Sequence, residues 1–306
     1  MMATQLRHID YTIGWICVLP IELAAASKLL EEEHQNLSQP HTDSNTYILG
    51  RIADHNVVLA CGPEPLIPST SAAAVAANLL LTFPGIRFAL LVGVGSGVPT
   101  LQTDIRLGDV VIGTAGRDHG AVVQYHLERT AAGESVQHTG ALNVLSNNLL
   151  GAMTRLRADQ ASGQGDFQEL LKKASDLVGS SETRRDILFS PAYGHVGESS
   201  CDLCDGAYHV IRTSRPNKNP VIHYGLIASG KSVPNEAIAR DRLASEIGGV
   251  MCFETEAVGM SNAFPCIVIR GIADYGDSHK NRLWLSYAVV MVASYAAWLL
   301  EYIPPA

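Results

Sequence analysis

Four short polar segments follow predicted β-strands in this sequence. They occupy residues 19–22 (LPIE), 93–97 (GVGSG), 253–257 (FETEA) and 271–274 (GIAD). Three of them contain carboxylates, which can donate or accept protons during a reaction. Because open α/β sheets bind ligands outside the carboxyl ends of their strands, this pattern predicts a small-ligand site at a sheet edge.

The elements that would position these segments alternate along the chain. Nearly continuous apolar runs indicate buried strands, and helix-like segments separate them. The predicted strands are 11–18, 56–61, 87–93, 109–113, 121–125, 221–229, 249–253 and 265–271. The predicted helices include 21–30, which directly follows Pro20, a residue favoured at the start of a helix, and the Ala-rich stretch 70–81. This alternation favours an α/β fold with a mixed, mostly parallel sheet flanked by helices.

A more polar stretch at about 126–219 interrupts the alternation. It contains the segments SGQGD, SSETRRD and SRPNKNP, whose composition interrupts helices and strands. Before and between these segments, helical periodicity predicts helices at 142–158 and 167–178. Strand signals return after it, and no linker separates two units. We therefore expect one domain over residues 1–306 with a polar insertion.

Composition excludes several classes of partner. The 22 Lys+Arg and 30 Asp+Glu residues give a net charge of −8, and there is no basic run of five, so nucleic-acid binding is not expected. Residues 283–300 form an uncharged apolar stretch long enough to span a membrane. Ser and Tyr residues interrupt it, so we predict a buried core helix and no membrane association.

The six cysteines favour a reducing, cytoplasmic location, because four of them stand singly in apolar surroundings. The other two, Cys201 and Cys204, form a CDLC motif with His195 and His209 nearby. This is half of a zinc motif, and no second CxxC pair or spaced histidine pair follows. A structural turn is favoured over a metal site, and no metal or cofactor is expected.

Six motifs in a fixed order carry a family resemblance. They are IGWICVLPIELAAA (13–26), LLVGVGSGVP (90–99), LGDVVI (107–112), HYGLIASG (223–230), CFETEAVG (252–259) and FPCIVIRGIADYGDSHKN (264–281). Together they resemble the nucleoside phosphorylase/nucleosidase superfamily, and especially its fungal-type branch. The resemblance covers about residues 11–300. It implies a three-layer phosphorylase-like fold and a homo-oligomer, a dimer or larger.

The resemblance implies roles for two carboxylates. Glu256 matches the family's ribose-binding glutamate, which accepts hydrogen bonds from the 2′- and 3′-hydroxyls, and Asp274 matches the catalytic acid that protonates purine N7. Cleaving an N-glycosidic bond puts negative charge on the base, so an acid beside N7 lets the purine leave neutral. On the residues alone, Asp274 could instead cap the following helix.

Glu22 bears on the choice between hydrolysis and phosphorolysis. It aligns with the glutamate that activates water in the nucleosidase branch, and the chain lacks the Gly-Asp-Pro-x-Arg-like phosphate loop of related phosphorylases. A carboxylate at this position would repel phosphate but can accept a proton from water. The resemblance therefore implies hydrolysis of a purine nucleoside to base and ribose.

The remaining candidate contacts come from the same motifs. Gly95 and Ser96 belong to the glycine-rich turn that lines the family's substrate site, and Glu254 could assist Glu256 at the ribose. Thr255 stands where the family usually has Met, and Phe253 could supply an apolar wall in compensation. A further contact is Val233, which replaces a base-stacking aromatic residue.

Three alternatives stay open. The chain could be a phosphate-dependent purine nucleoside phosphorylase, an adenine-nucleotide (AMP or ATP) nucleosidase, or a non-catalytic nucleoside-sensing module. The residues Arg117, Arg270, Lys280 and Arg282 could bind a phosphate-bearing substrate or simply pack at the surface. Because the sequence ends soon after the last predicted helix, we expect a free-standing enzyme.

Overall fold

The computed structural model describes residues 6–63, 68–130, 133–142, 145–162, 178, 185–197, 200–215, 219–260, 264–280 and 282–305. The described strands are β1 (Ile13–Cys17), β2 (Glu32–Glu33), β3 (Thr46–Ile52), β4 (His55–Cys61), β5 (Phe88–Gly97), β6 (Val110–Gly113), β7 (Val122–Thr130), β8 (Gly133–Leu142), β9 (Ile222–Ser229), β10 (Val250–Glu254) and β11 (Cys266–Asp274). The described α-helices are α1 (Pro20–Ser27), α2 (Pro68–Thr82), α3 (Asn147–Ala161), α4 (Ala237–Ile247) and α5 (Leu283–Leu300).

The described strands form one mixed sheet. Its order is β2-β3-β4-β1-β5-β11-β6-β9-β7-β8, and β10 pairs with both β5 and β9. Strands β5, β11, β6, β9 and β10 therefore close into a ring. Six of the described strand pairings are parallel and five antiparallel. The predicted α/β class and mixed sheet are confirmed.

Helices cover both faces of the sheet and give the predicted three layers. Because side chains alternate along a strand, Trp15 of β1 packs into the core cluster that contains α5 and α3, whereas Ile16 packs on the opposite face with α2. Helix α5 is long and apolar enough to cross a membrane, but 78% of it is buried inside the fold. It is the central helix of one layer, as expected for a core helix.

Part of the polar stretch 126–219 belongs to the same sheet and core. Strand β8 pairs with β7 along its length, and α3 buries Leu149, Met153 and Leu156 in the core cluster of α5. The sequence did not predict β8, β3 or the amphipathic α4. The helix predicted at 167–178 lies, apart from Val178, outside the described residues.

The end of this stretch is tied to the sheet by buried charge pairs. Both guanidinium ends of Arg215 lie 2.7 Å from the carboxylate of Asp109, which also accepts a hydrogen bond from His223 at 2.9 Å. Although burial alone would raise the pKa of Asp109, these hydrogen bonds hold it below its usual value. This pairing fixes the chain that leads into β9.

The close approach of β11 to α5 predicts a strong effect of one glycine substitution. A Cβ atom at Gly271 would lie 2.3 Å from the Ala288 carbonyl oxygen, so Gly271→Ala must separate strand and helix. We expect a loss of about 1–3 kcal/mol in the free energy of unfolding, measured by urea denaturation. Gly151→Ala in α3 is the matched control: nothing lies within 4 Å of its added Cβ, and we expect a gain of about 0.5–1 kcal/mol. Equal effects of the two substitutions would contradict this packing.

Candidate active site

A fully buried arginine lies at the centre of the candidate site. Arg270 projects from β11, and its Nη2 atom lies 2.5 Å from Glu254 Oε2 and 2.7 Å from Glu256 Oε2. The guanidinium also lies against Gly93 of β5, where an added Cβ would approach Arg270 Nη1 to 2.3 Å. Glycine at position 93 therefore makes room for the guanidinium.

Glu22 reaches the same place from the first turn of α1. Its Oε2 atom accepts hydrogen bonds from the backbone N–H groups of Val18 and Leu19, both at 3.0 Å, and its Oε1 atom accepts one from Val94 N–H at 3.2 Å. The added Cβ at Gly93 would lie 2.8 Å from Glu22 Oε1. The carboxylate is thus held between the loop after β1 and the carboxyl-terminal half of β5.

The cluster combines one guanidinium with three buried carboxyl groups. Burial raises the pKa of Glu22 above its usual value, against hydrogen bonds from Leu19 and Val18 that lower it. Burial also raises the pKa of Glu256 well above its usual value; Arg270 opposes the rise, whereas the charges of Glu254 and Glu22 add to it. The cluster therefore favours keeping a proton on one of its carboxyl groups.

The two glutamates of the FETEA motif have different environments. Glu254 is completely buried, and its oxygens accept hydrogen bonds from the Glu256 and Ala257 N–H groups and from Arg270. The side chain of Glu256 keeps 13% of its surface exposed. This geometry assigns Glu254 to holding Arg270 and the loop after β10, and leaves the predicted ribose contact to Glu256.

Asp274 lies at the end of β11, beside Ser96 of β5. One carboxylate oxygen accepts a hydrogen bond from Gly276 N–H at 2.8 Å, and the other lies 3.7 Å from Lys280 Nζ. Gly276 adopts a φ of 61°, which lets the chain turn tightly around the carboxylate. The side chain is 20% exposed, so a ligand can reach it.

The other predicted contacts surround this strand end with unequal access. Phe253 is fully buried on the opposite face of β10 from Glu254 and packs edge-on against Tyr125. Gly95 makes room for β10, since an added Cβ would lie 2.5 Å from Cys252 Sγ. Ser96 pairs with Phe253 across the strands and is buried.

Val233 and Thr255 are half-buried, and Val233 packs against the cluster of Tyr125 and Phe253. Their contacts with substrate, like that of Ser96, stay predictions. For Phe253 the burial favours a packing role over the predicted apolar wall of the site.

The arrangement of Arg270 was not foreseen from its sequence position. The sequence alone predicts for Arg270 only phosphate binding or packing at the surface. The signal in the sequence is the position of Arg270 as a charged residue inside the apolar run CIVIRGIA, since a buried arginine needs carboxylate partners.

The raised pKa of Glu256 predicts a pH-dependent effect on stability. A carboxyl group with a raised folded-state pKa stabilises the fold below its unfolded pKa, near 4.5, and this contribution is lost as the pH rises through the folded-state value. We therefore expect the free energy of unfolding of Glu256→Gln, relative to the unsubstituted chain, to increase between pH 4.5 and 8. Each unit of pKa shift corresponds to about 1.4 kcal/mol.

Urea denaturation across that pH range measures the difference. Glu33→Gln, on exposed β2, is the control and should show no such trend. A Glu256→Gln difference that stays constant or falls with increasing pH would contradict the electrostatics of the cluster.

Comparisons with known proteins agree with this fold. The chain is 40% identical over 302 residues to a nucleotide-binding leucine-rich repeat (NLR)-like protein of Hyaloscypha variabilis, covering 97% of this chain but 30% of that protein. Its structure is similar to a 5′-methylthioadenosine/S-adenosylhomocysteine nucleosidase from Neisseria meningitidis in complex with methylthio-immucillin-A, with a TM-score of 0.59, 16% identity, and coverage of 95% and 98% of the two chains.

It is also similar to futalosine hydrolase of Helicobacter pylori, with a TM-score of 0.56, 14% identity, and coverage of 96% and 99%. The family model of the phosphorylase superfamily matches residues 12–289. The match covers the strands and loops that carry Glu22, Glu256, Arg270 and Asp274. The chain therefore belongs to the phosphorylase superfamily.

Proposed function

We propose that the chain is a purine nucleosidase, which hydrolyses the N-glycosidic bond of a purine nucleoside to free base and ribose. The observation that carries this proposal is the convergence of three carboxyl groups on β5. Glu22 accepts a hydrogen bond from the Val94 N–H group, and Asp274 lies opposite Ser96 in the strand register. Glu256 forms an ion pair with Arg270, which lies opposite Gly93.

Each group has a role in this reaction. Water adds across the C1′–N9 bond: its oxygen bonds to C1′, its proton passes to Glu22, and the purine leaves with a proton from Asp274 on N7. Glu256 accepts hydrogen bonds from the ribose hydroxyls and so positions the sugar. Burial raises the pKa of Glu22, which makes its carboxylate a stronger proton acceptor than an exposed glutamate.

The charges around Glu22 favour water over phosphate as the nucleophile. The cation beside Glu22 is Arg270, and its Nη2 atom is already paired with both Glu254 and Glu256. A phosphate dianion placed here would face three carboxyl groups, of which one holds a proton, and a guanidinium that is already paired with two of them. Repulsion of this kind is strong in a buried site because the local dielectric constant is low.

The solved neighbours support a nucleoside substrate. The Neisseria meningitidis protein is a nucleosidase of 5′-methylthioadenosine and S-adenosylhomocysteine, and the Helicobacter pylori protein is a futalosine hydrolase. We extend a purine nucleoside substrate to this chain as part of the proposal. Action in the cytoplasm as a homo-oligomer, without nucleic-acid or membrane partners, belongs to the same proposal, as does the fungal-type branch.

Substitution of the two proposed catalytic groups tests the reaction. We expect Glu22→Gln and Asp274→Asn each to lower the rate of base release by about 10²- to 10⁴-fold, the usual contribution of a general base or acid. Base release is measured chromatographically from inosine, guanosine, adenosine and 5′-methylthioadenosine. Glu33→Gln on exposed β2 should keep the full rate, and thermal unfolding shows whether each variant is folded.

A folded Asp274→Asn variant that keeps the full rate would contradict the proposed acid. AMP and ATP in the same assay test the nucleotide alternative: base release from them alone would replace the nucleoside substrate by a nucleotide. Failure of every substrate with the unsubstituted chain would contradict an enzymatic role and favour a nucleoside-sensing module.

A further inference from the structure

A second cluster of chemically active side chains lies outside the carboxylate site. The ligand atoms of His195, Cys201 and Cys204 lie within 4.8 Å of one another. The sequence alone shows only half of a zinc motif here, because the cysteines are three residues apart and no second pair follows. The fold supplies what the spacing lacked by placing His195 beside both thiols. We propose that these three residues bind a Zn²⁺ ion. His279, which lies outside this group in the present structure but has its ring next to His195, becomes the fourth ligand when its side chain moves towards the metal.

The local backbone brings the two thiols close together. Residues Cys201–Leu203 form a 3₁₀ turn, and Cys204 N–H donates to the Cys201 carbonyl at 3.1 Å, so both thiols lie on the same side of the turn. The Val196 N–H group donates to Cys204 Sγ at 3.5 Å. Such outer-sphere hydrogen bonds orient metal ligands and stabilise thiolate charge.

The imidazole of His195 is oriented in the way that metal-binding histidines usually are. Its Nε2 atom lies 3.1 Å from the Ser200 carbonyl oxygen, and a carbonyl can only accept a hydrogen bond. Nε2 therefore carries the proton, which leaves the other ring nitrogen unprotonated and available to a metal.

The buried, unpartnered ring nitrogens of His279 are a second observation that points to a metal ion here. Its side chain is only 4% exposed, yet neither ring nitrogen has a hydrogen-bond partner among the described residues. The nearest carboxylate oxygen, from Asp277, is 3.9 Å from Nδ1. Leaving buried polar nitrogens unsatisfied is costly, so this ring lacks a partner that a metal ion would provide.

In this structure the ligand atoms of His279 lie outside the group of three, so its side chain must move closer to the thiols when the metal binds. Its ring centre lies 5.6 Å from that of His195, with the rings tilted at 68°. Two imidazoles on one tetrahedral zinc have ring centres roughly 5 Å apart, given Zn–N distances of about 2.0–2.1 Å. The ring is held from one side by stacking on Phe189 at 4.0 Å.

The donor set indicates which cation binds. Two thiolates and two imidazoles form the Cys₂His₂ set of tetrahedral structural zinc sites. Soft sulfur ligands disfavour Mg²⁺ and Ca²⁺, which require oxygen. The CDLC motif is therefore assigned to metal binding in place of the structural turn favoured from the sequence.

Zinc at this place would join two parts of the chain that meet at the candidate active site. His195 and the cysteines lie in the polar stretch, whereas His279 lies five residues after Asp274, on the loop that also carries Lys280. His195 N–H already donates to Ser278 Oγ at 3.0 Å across this junction. The ion would therefore hold the loop after β11 against the polar stretch. Its binding does not depend on the proposed reaction.

Metal analysis of the full chain tests the proposal. Protein expressed with added ZnCl₂, dialysed and measured by inductively coupled plasma mass spectrometry should contain one zinc per chain. The Cys201→Ser/Cys204→Ser double variant and His195→Ala should lose it. His279→Ala should weaken zinc affinity at least tenfold in a competition titration with a chromophoric chelator. Cobalt substitution should give sulfur-to-cobalt charge-transfer absorption that the double variant lacks.

Two matched controls keep the test specific. Cys266→Ala changes the other half-buried cysteine, and His209→Ala changes a histidine of the same segment that is not among the four proposed ligands; both should retain the metal. Zinc content no higher than in the double variant would overturn the proposal, as would a Cys201–Cys204 disulfide in freshly purified protein. An unchanged affinity in His279→Ala would overturn the fourth ligand. Since the readout is metal content, these outcomes are independent of base release.

Discussion

The candidate site depends on the ion pairs that the buried guanidinium of Arg270 forms. A cation enclosed in the sheet is stable only if carboxylates surround it, and Glu254 and Glu256 pair with it directly. The requirement extends to its neighbours. Gly93 must lack a side chain for the guanidinium to fit, and Glu254 must bond to Arg270 while it also holds the turn that presents Glu256. One buried charge thus fixes the position of residues from β5, β10 and β11.

The ion pairs of Arg270 also determine which carboxyl groups a ligand can reach. Glu254 is fully occupied by internal hydrogen bonds, whereas Glu256 and Asp274 keep part of their surface exposed. Glu22 lies on the same side of Gly93 as the guanidinium, held by three backbone N–H groups. Burial raises the pKa of both Glu22 and Glu256, and for Glu256 the charges of Glu254 and Glu22 add to the rise because a single arginine does not offset three carboxylates. Proton-transfer chemistry needs groups of this kind.

Much of the fold was predictable because its strands are buried and its helices amphipathic or apolar. The bounds of β1, β4, β6 and β9 match the apolar runs within two residues, and residues 283–300 form α5 as expected. Strand β3 was not predicted because it lies near the sheet edge, where half-exposed positions weaken the apolar pattern. Strand β8 was missed for a related reason: its stability comes from pairing with β7, and such long-range pairing is invisible in local composition.

The site was predictable only in part, for a similar reason. Motifs placed Glu22, Glu256 and Asp274 after strands, and the structure brings all three to β5. The spacing could not show that Glu254 would pair with Arg270 and so be unavailable to a ligand. Nor could it show that His195 would approach the two cysteines, since both arrangements depend on contacts between distant segments. Local sequence indicates which groups are available, and tertiary packing decides which of them remain accessible.

The most direct test of the proposed chemistry is the identity of the sugar product. The unsubstituted chain is incubated with purine nucleosides in phosphate-free buffer and in buffer with added phosphate, and the sugar is identified by mass spectrometry. The electrostatics around Glu22 predict free ribose at the same rate in both buffers. Ribose 1-phosphate formed only when phosphate is present would contradict the account, because phosphate would then bind where three carboxyl groups should repel it.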